Sequence, residues 1–316
     1  MVKIDLITGF LGSGKTTFIR EYARHLLGRG ERICIIENDY GAVNIDMVLL
    51  QDILGDNCNL EMIVGGDGAE AHRRRFRTKL ISMGMSGYDR VLIEPSGIYD
   101  VDEFFDVLYD EPLDRWYEIG SVLSLVDAQM VHELDGTGRY IFMSEIACAG
   151  KLIYTKLQSS RDAKEITAAV NGIMTEYGGR SFDEEKDVIA KSVFEFTEKD
   201  FEALRTCGYR HASYVKLPLE DKQFTPLFYF DVEMKEDKLR SIAKELFSSG
   251  KAGHVIRIKG FVKTGTDTQV EINATEKEIK LAPKVSSRNV LIVIGEKLDK
   301  AYINDLLKDY CAVVSL

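Results

Sequence analysis

The chain has 316 residues with a formal net charge of −10, a length that holds two domains with cores of their own. The acidic balance argues against non-specific binding to nucleic acid or to an anionic membrane surface, and no apolar run approaches the length of a membrane span. Cys34, Cys58, Cys148, Cys207 and Cys311 form no CxxC pair, and the opening "VKIDLITG" reads as a strand rather than a signal peptide, so reduced thiols in a cytoplasmic protein are the expectation.

In chain order, an apolar run at 3–9 precedes a helix pattern over 15–30. Further apolar runs follow at 32–39, 60–66, 89–97, 119–128 and 150–156, most with helical segments between. Continuous apolar strands alternating with helices predict an α/β domain on a doubly wound, mostly parallel sheet. Residues 159 to about 210 read as helical and polar, with 160–179 the best helix. The pattern then changes to strands at 214–219 and 227–234, a helix at 235–250, strands at 254–264, 268–282 and 289–296, and a helix at 300–311. That order predicts a smaller α+β domain with a largely antiparallel sheet. The domains are drawn at 1–210 and 211–316.

Gly9-Phe10-Leu11-Gly12-Ser13-Gly14-Lys15-Thr16 fits G-x-x-x-x-G-K-[ST], with a strand before it and a helix after it. This spacing predicts a phosphate-binding loop of the P-loop type. Gly9, Gly12 and Gly14 let backbone N–H groups converge on phosphate oxygens, and the helix N-terminus adds partial positive charge. Ser13 and Thr17 complete the nucleotide-binding run. Lys15 is expected to reach the β- and γ-phosphates, and the Thr16 hydroxyl to ligate Mg²⁺. Glu94 ends the strand before Pro95-Ser96-Gly97. Its carboxylate could hold Mg²⁺ through water or orient the attacking water, which makes Lys15 and Glu94 the catalytic pair. The Gly97 N–H could sense a γ-phosphate. Asp127, ending "SLVDA", reads either as a helix cap or as a structural acid near the site.

Thr155-Lys156-Leu157-Gln158 stands at the next strand end, where a guanine-reading loop normally has Asn-Lys-x-Asp. The lysine stem can cover either purine. Gln158 carries a donor and an acceptor side by side, complementary to the adenine edge. Losing the charged acceptor for guanine costs about 1.5–3 kcal/mol. Two readings stand: a loop that favours ATP, or a Gln158 that faces solvent while guanine is read elsewhere.

The ordered set "TGFLGSGKTT", "ENDYGAVNID", "IEPSGIYD" and "SVLSLVDA" resembles the CobW family of P-loop GTPases, and "HVIRIKGFV" is similar to a strand of that family's C-terminal domain. The resemblance covers most of the chain. It implies slow GTP hydrolysis with Mg²⁺, coupled to metal or cobalamin-cofactor handling for a metalloenzyme or corrinoid-enzyme partner. The expected form is a monomer or homodimer. Asn38, Gly41 and Asp46 match the family's switch-like segment, and Asp46 is a second candidate near Mg²⁺. Asp39 and Ala42 replace its two glutamates.

The family's C-x-C-C motif is missing. Gly65-Gly66-Asp67-Gly68-Ala69-Glu70-Ala71-His72 stands there without a cysteine, so no thiolate site forms. Asp67, Glu70 and His72 read either as an O/N site for a harder or borderline metal or as solvated loop residues, and Cys58 is one thiol that could swing in. The run His72-Arg73-Arg74-Arg75-Phe76-Arg77 reads as the exposed face of a helix, with an arginine finger or a docking patch as alternatives. Two other functions compete with the metal role. One is a nucleotide-gated assembly or reactivation factor for another protein, which the missing motif favours. The other is a small-molecule kinase, against which the switch-like segment argues. His254 and Lys259 read as strand-surface residues.

Overall fold

In the computed structural model, described for all residues except 11, 40–49, 65–68, 96–100, 135, 158–162, 213–223, 267, 277, 285–288, 312 and 315–316, the chain divides into two units, Met1–Leu217 and Pro218–Leu316. The first unit runs β1 (Val2–Thr8), α1 (Lys15–Gly28), β2 (Ile33–Asp39), β3 (Cys58–Val64), α2 (Ala69–Met85), β4 (Arg90–Pro95), α3 (Val101–Leu108) and α4 (Leu113–Trp116). It continues through β5 (Tyr117–Asp127), α5 (Gly136–Ile146), β6 (Lys151–Thr155), α6 (Ala163–Glu176), α7 (Glu184–Asp187), β7 (Val188–Ile189) and α8 (Glu198–Arg205). The seven strands pair in parallel in the order β3-β2-β4-β1-β5-β6-β7.

The strands are apolar on both faces because both faces are covered. Val2, Ile4 and Leu6 of β1, Cys34 and Ile36 of β2, and Val91 and Ile93 of β4 pack with Phe76, Leu80 and Met83 of α2. The alternate residues Ile7, Ile33, Ile35 and Leu92 pack with Phe18, Ile19, Tyr22, Ala23 and Leu26 of α1. The period of two along each strand thus assigns each side chain to a layer. The strand order changes direction at β1, so the crevice at the C-terminal edges of β1, β4 and β5 is the natural ligand site of such a sheet.

A buried ion pair, Asp5 with Arg90, sits within this core. β5 carries one residue more than β1 between the pairs Ile4–Ile119 and Leu6–Val122. The Ser121 N–H released by that bulge donates to Asp5 Oδ1 at 2.9 Å. Tyr22 Oη donates to Asp5 Oδ2 at 2.9 Å, and Arg90 Nη1 donates to both carboxylate oxygens at 2.6 Å. Arg90 Nε also reaches Glu31, which accepts from Arg205 of α8. Gly120 is required beside this cluster, since a Cβ there would lie 2.3 Å from Asp5 Oδ1.

The second unit contains β8 (Phe224–Phe230), α9 (Glu236–Ser248), β9 (His254–Lys263), β10 (Gln269–Ala274), β11 (Ile279–Pro283), β12 (Val290–Glu296), α10 (Lys300–Leu307) and β13 (Val313–Val314). Its strands pair antiparallel in the order β11-β10-β9-β12-β8-β13. Leu239, Ile242, Ala243 and Leu246 form the buried stripe of α9 at helical spacing. The single strand expected over 268–282 is two strands. Thr275 and Glu278 exchange backbone hydrogen bonds between them and fold the segment into a hairpin. The strand expected at 214–219 lies outside the described residues. His254 is exposed and pairs with Glu296 at 3.2 Å, and Lys259 is half-buried on β9. Among the described residues no helix is long and apolar enough to cross a membrane.

Removing one partner of the Asp5–Arg90 pair leaves an uncompensated charge in the core. Arg90→Ala is expected to lower unfolding stability by about 3–5 kcal/mol, read as a fall in the urea midpoint.

Candidate functional site

The phosphate loop folds as it does because three of its residues lack a Cβ. Gly9, Gly12 and Gly14 have φ of 138°, 81° and 94°, values that other residues rarely adopt. Ser13 N donates to Phe10 O at 3.1 Å and closes the turn. Gly14 caps α1, whose first turn holds no acidic residue to offset its positive end. Lys15 is buried, and its Nζ donates back to Gly9 O at 2.6 Å. Thr17 is exposed on the same turn.

Thr16 Oγ1 donates to Glu94 Oε1 at 3.4 Å. Glu94 stands in register with Glu37 of β2. Neighbours in register project to the same face of a sheet, here the face that α1 covers. Both acids are buried, Glu37 at 3% and Glu94 at 8% exposure. Hydroxyl and carboxylate oxygens are the hard donors that Mg²⁺ takes, so this donor set fits that ion. Sequence reasoning passed over Glu37. Its signal was an acid closing the apolar run "RICIIE". The side chain of Asn38 lies outside the described residues, as do Gly41, Asp46 and Gly97.

The end of β6 is tied to the phosphate loop. Thr155 Oγ1 donates to Ser13 O at 2.8 Å. Lys156 has a φ of 54°, and its Nζ donates to Asp127 Oδ2 at 2.6 Å. Gln158 lies outside the described residues.

Glu145 of α5 is a second acid that sequence reasoning missed. It is 1% exposed, and its backbone carbonyl accepts from Thr8 and Ser124. Burial pushes its carboxyl well above the usual value near 4.5, while the Lys15 charge pulls partly the other way.

The basic run divides. Arg73 pairs with Asp110 at 3.5 Å, and Arg77 Nη2 donates to Glu111 O at 2.5 Å. Both therefore grip the segment after α3, while Arg74 and Arg75 are exposed and Phe76 is buried. Of the second metal set, Asp67 and the Glu70 side chain lie outside the described residues, and His72 is buried in α2. Cys58 is corrected. It opens β3 at the edge of the sheet opposite the segment after Val64, roughly 20 Å away along the strand, and it is buried. It cannot swing in.

Glu145 gives a pH signature. The folded chain keeps this proton at pH values where the unfolded chain has lost it. The contribution is therefore full below the unfolded value, declines as pH rises toward the folded value, and then levels off. Glu145→Gln is expected to raise the urea midpoint more at pH 8 than at pH 5. Equal gains at both pH values would remove this assignment.

Residues 3–178 match the CobW/HypB/UreG nucleotide-binding domain, and residues 226–311 match the cobalamin synthesis protein cobW C-terminal domain. The chain is 29% identical over 180 residues to "Zinc chaperone YeiR" of Escherichia coli (strain K12), covering 57% of this chain and 53% of that protein. It is 27% identical over 176 residues to "Zinc chaperone YjiA" of the same strain, covering 52% of each. It is 22% identical over 167 residues to "Zinc-regulated GTPase metalloprotein activator 1" of Schizosaccharomyces pombe, covering 49% of this chain and 39% of that protein. The chain thus spans about half the length, or less, of these curated relatives. With more than half of its residues matched to the nucleotide-binding domain, the chain belongs to the CobW/HypB/UreG family.

Proposed function

We propose that this chain is a GTP-hydrolysing P-loop enzyme whose nucleotide state governs the handling of a metal ion for a partner protein. The observation that carries this reading is the phosphate loop, where three left-handed glycines precede a buried Lys15 at the uncompensated N-terminus of α1. Family membership and the two zinc-chaperone relatives support the metal role, and the third relative's GTPase description supports guanine.

In this reading the N–H groups of residues 12–16 cradle the phosphates, and Lys15 moves from Gly9 O to the β- and γ-phosphates. Thr16 and Glu94 would hold Mg²⁺, with Glu37 beside them. When bound, that ion neutralises charge on the phosphate oxygens. Glu94 orients the attacking water. Gly97 and Asp46 belong to the segments that would respond to the γ-phosphate, and hydrolysis is slow because its role is gating. Asp67, Glu70 and His72 are the donors this reading offers the cargo metal. Burial pushes the Cys34 thiol up to about 12 and Cys58 up to about 11.

A second reading keeps the nucleotide switch and drops the metal. The chain would then assemble or reactivate a partner protein, and the absence of cysteine from residues 65–72 favours it. Zn²⁺ and Co²⁺ titration separates the two. Stoichiometric binding supports the metal role, and no binding supports the second reading.

Calorimetry with slowly hydrolysed GTP and ATP analogues and Mg²⁺ tests the activity, together with phosphate release into water. The GTP analogue is expected to bind more tightly than the ATP analogue, and Lys15→Ala to weaken it roughly a hundredfold. Tighter ATP binding that reverses in Gln158→Asp would move the substrate to ATP. No binding of either analogue would overturn the reading.

A further inference from the structure

We propose that Asp127 is the positioning residue for Lys156, holding that side chain in place as the cover of a purine ring. The inference rests on the nucleotide-binding reading above and deepens it. Asp127 ends β5 in register with Thr155 of β6, and its side chain is 9% exposed. Its two oxygens have separate tasks. Oδ2 accepts from Lys156 Nζ at 2.6 Å, and Oδ1 accepts from Gln129 N at 3.0 Å. The second bond fixes the carboxylate plane, so the first has a defined direction.

The backbone of Lys156 is held by the same turn. Gln129 Nε2 donates to Lys156 O at 3.3 Å, and Ala128 N donates to Thr155 O at 3.0 Å. These contacts support a left-handed φ of 54° at a residue with a Cβ, a conformation that a free chain seldom visits. Thr155 Oγ1 then joins the turn to the phosphate loop at Ser13 O. Asp127, Lys156, Thr155 and Ser13 therefore form one connected frame.

The physical consequence is pre-organisation. A free lysine loses much rotamer freedom when its stem lies along a ring. Here that freedom is already reduced by an ion pair with a nearly buried partner, which is stiffer than an exposed pair. The methylene stem is apolar and suits the face of either purine, and the carboxylate faces the ammonium rather than the base. Asp127 thus strengthens binding of the base without choosing between guanine and adenine.

Asp127→Asn separates this role from a plain turn cap, since the amide keeps an acceptor for Gln129 N and loses the charge that fixes Lys156. Calorimetry with Mg²⁺ would compare GDP, ADP and inorganic tripolyphosphate on wild type, Asp127→Asn, Lys156→Ala and the double variant, with urea midpoints recorded for each. Asp127→Asn is expected to weaken GDP and ADP about tenfold by the same factor, and to leave tripolyphosphate unchanged. The double variant is expected to bind no more weakly than Lys156→Ala alone. Equal loss for nucleotide and tripolyphosphate, additive losses in the double variant, or no loss at all would overturn the proposal. Failure of the wild type to bind either nucleotide would instead remove the reading on which it rests.

Discussion

A side chain cannot exist at residue 9. A Cβ there would lie 2.5 Å from Leu125 O and 2.7 Å from Ser13 Oγ. Much of the site depends on that constraint. The Gly9 backbone continues the path of β1 and lies against Leu125 of β5, so the loop leaves the sheet from beside β5. The Gly9 carbonyl is then near enough for Lys15 to return to it, and the Ser13 carbonyl near enough for Thr155. A bulkier residue at 9 would push the loop off β5 and break all three relations together.

The buried acids of the first unit show three ways of living with charge. Asp5 is held by a guanidinium, a phenol and a backbone N–H, although burial outweighs them and raises its carboxyl above the usual value, and its cluster ties β1, β4, β5 and α1. A carboxylate satisfied this completely has no capacity left for a ligand. Glu94 lies at the other end of β4 and accepts from Thr16, with Glu37 of β2 in register with it on the face of α1. Glu145 takes a third course, its carboxyl pushed well above the usual value by burial. Position along the strand therefore separates charge that holds the sheet from charge that faces the crevice.

Much of this was legible in the sequence. Phosphate binding through backbone N–H groups needs contiguous residues with special dihedral angles, so the glycine spacing of 9–16 announces a loop between a strand and a helix. Apolar runs report burial on both faces, and they announce the parallel sheet. Features set by tertiary direction were not legible. Nothing local separates Glu37 from an exposed strand-end acid, because its burial depends on α1. Glu145 reads as an ordinary helix acid until α5 docks. The hairpin of β10 and β11 was hidden because Thr275 to Glu278 lacks the glycine that usually marks such a turn. Cys58 looked close to residues 65–72 in sequence, yet a strand's length separates two positions that a loop would have brought together.

The departures from Asn-Lys-x-Asp are unequal in consequence. The first position of such a loop ties the base-reading turn to the phosphate loop. Here Thr155 makes that tie with a shorter side chain, donating its hydroxyl to Ser13 O. A hydroxyl suffices because Gly14 lies beside it, with the nearest approach of an added Cβ being Thr155 Cγ2 at 3.9 Å. Lys156 is retained and anchored by Asp127. The change at 155 therefore preserves the mechanical task of the loop and contributes little to the base code. On the proposed nucleotide-binding reading, any change in base preference rests on Gln158, where a neutral amide stands in place of a carboxylate. Replacing a charged acceptor with a neutral one acts on hydrogen bonding to the base edge, while the frame that presents the base is the same for either purine.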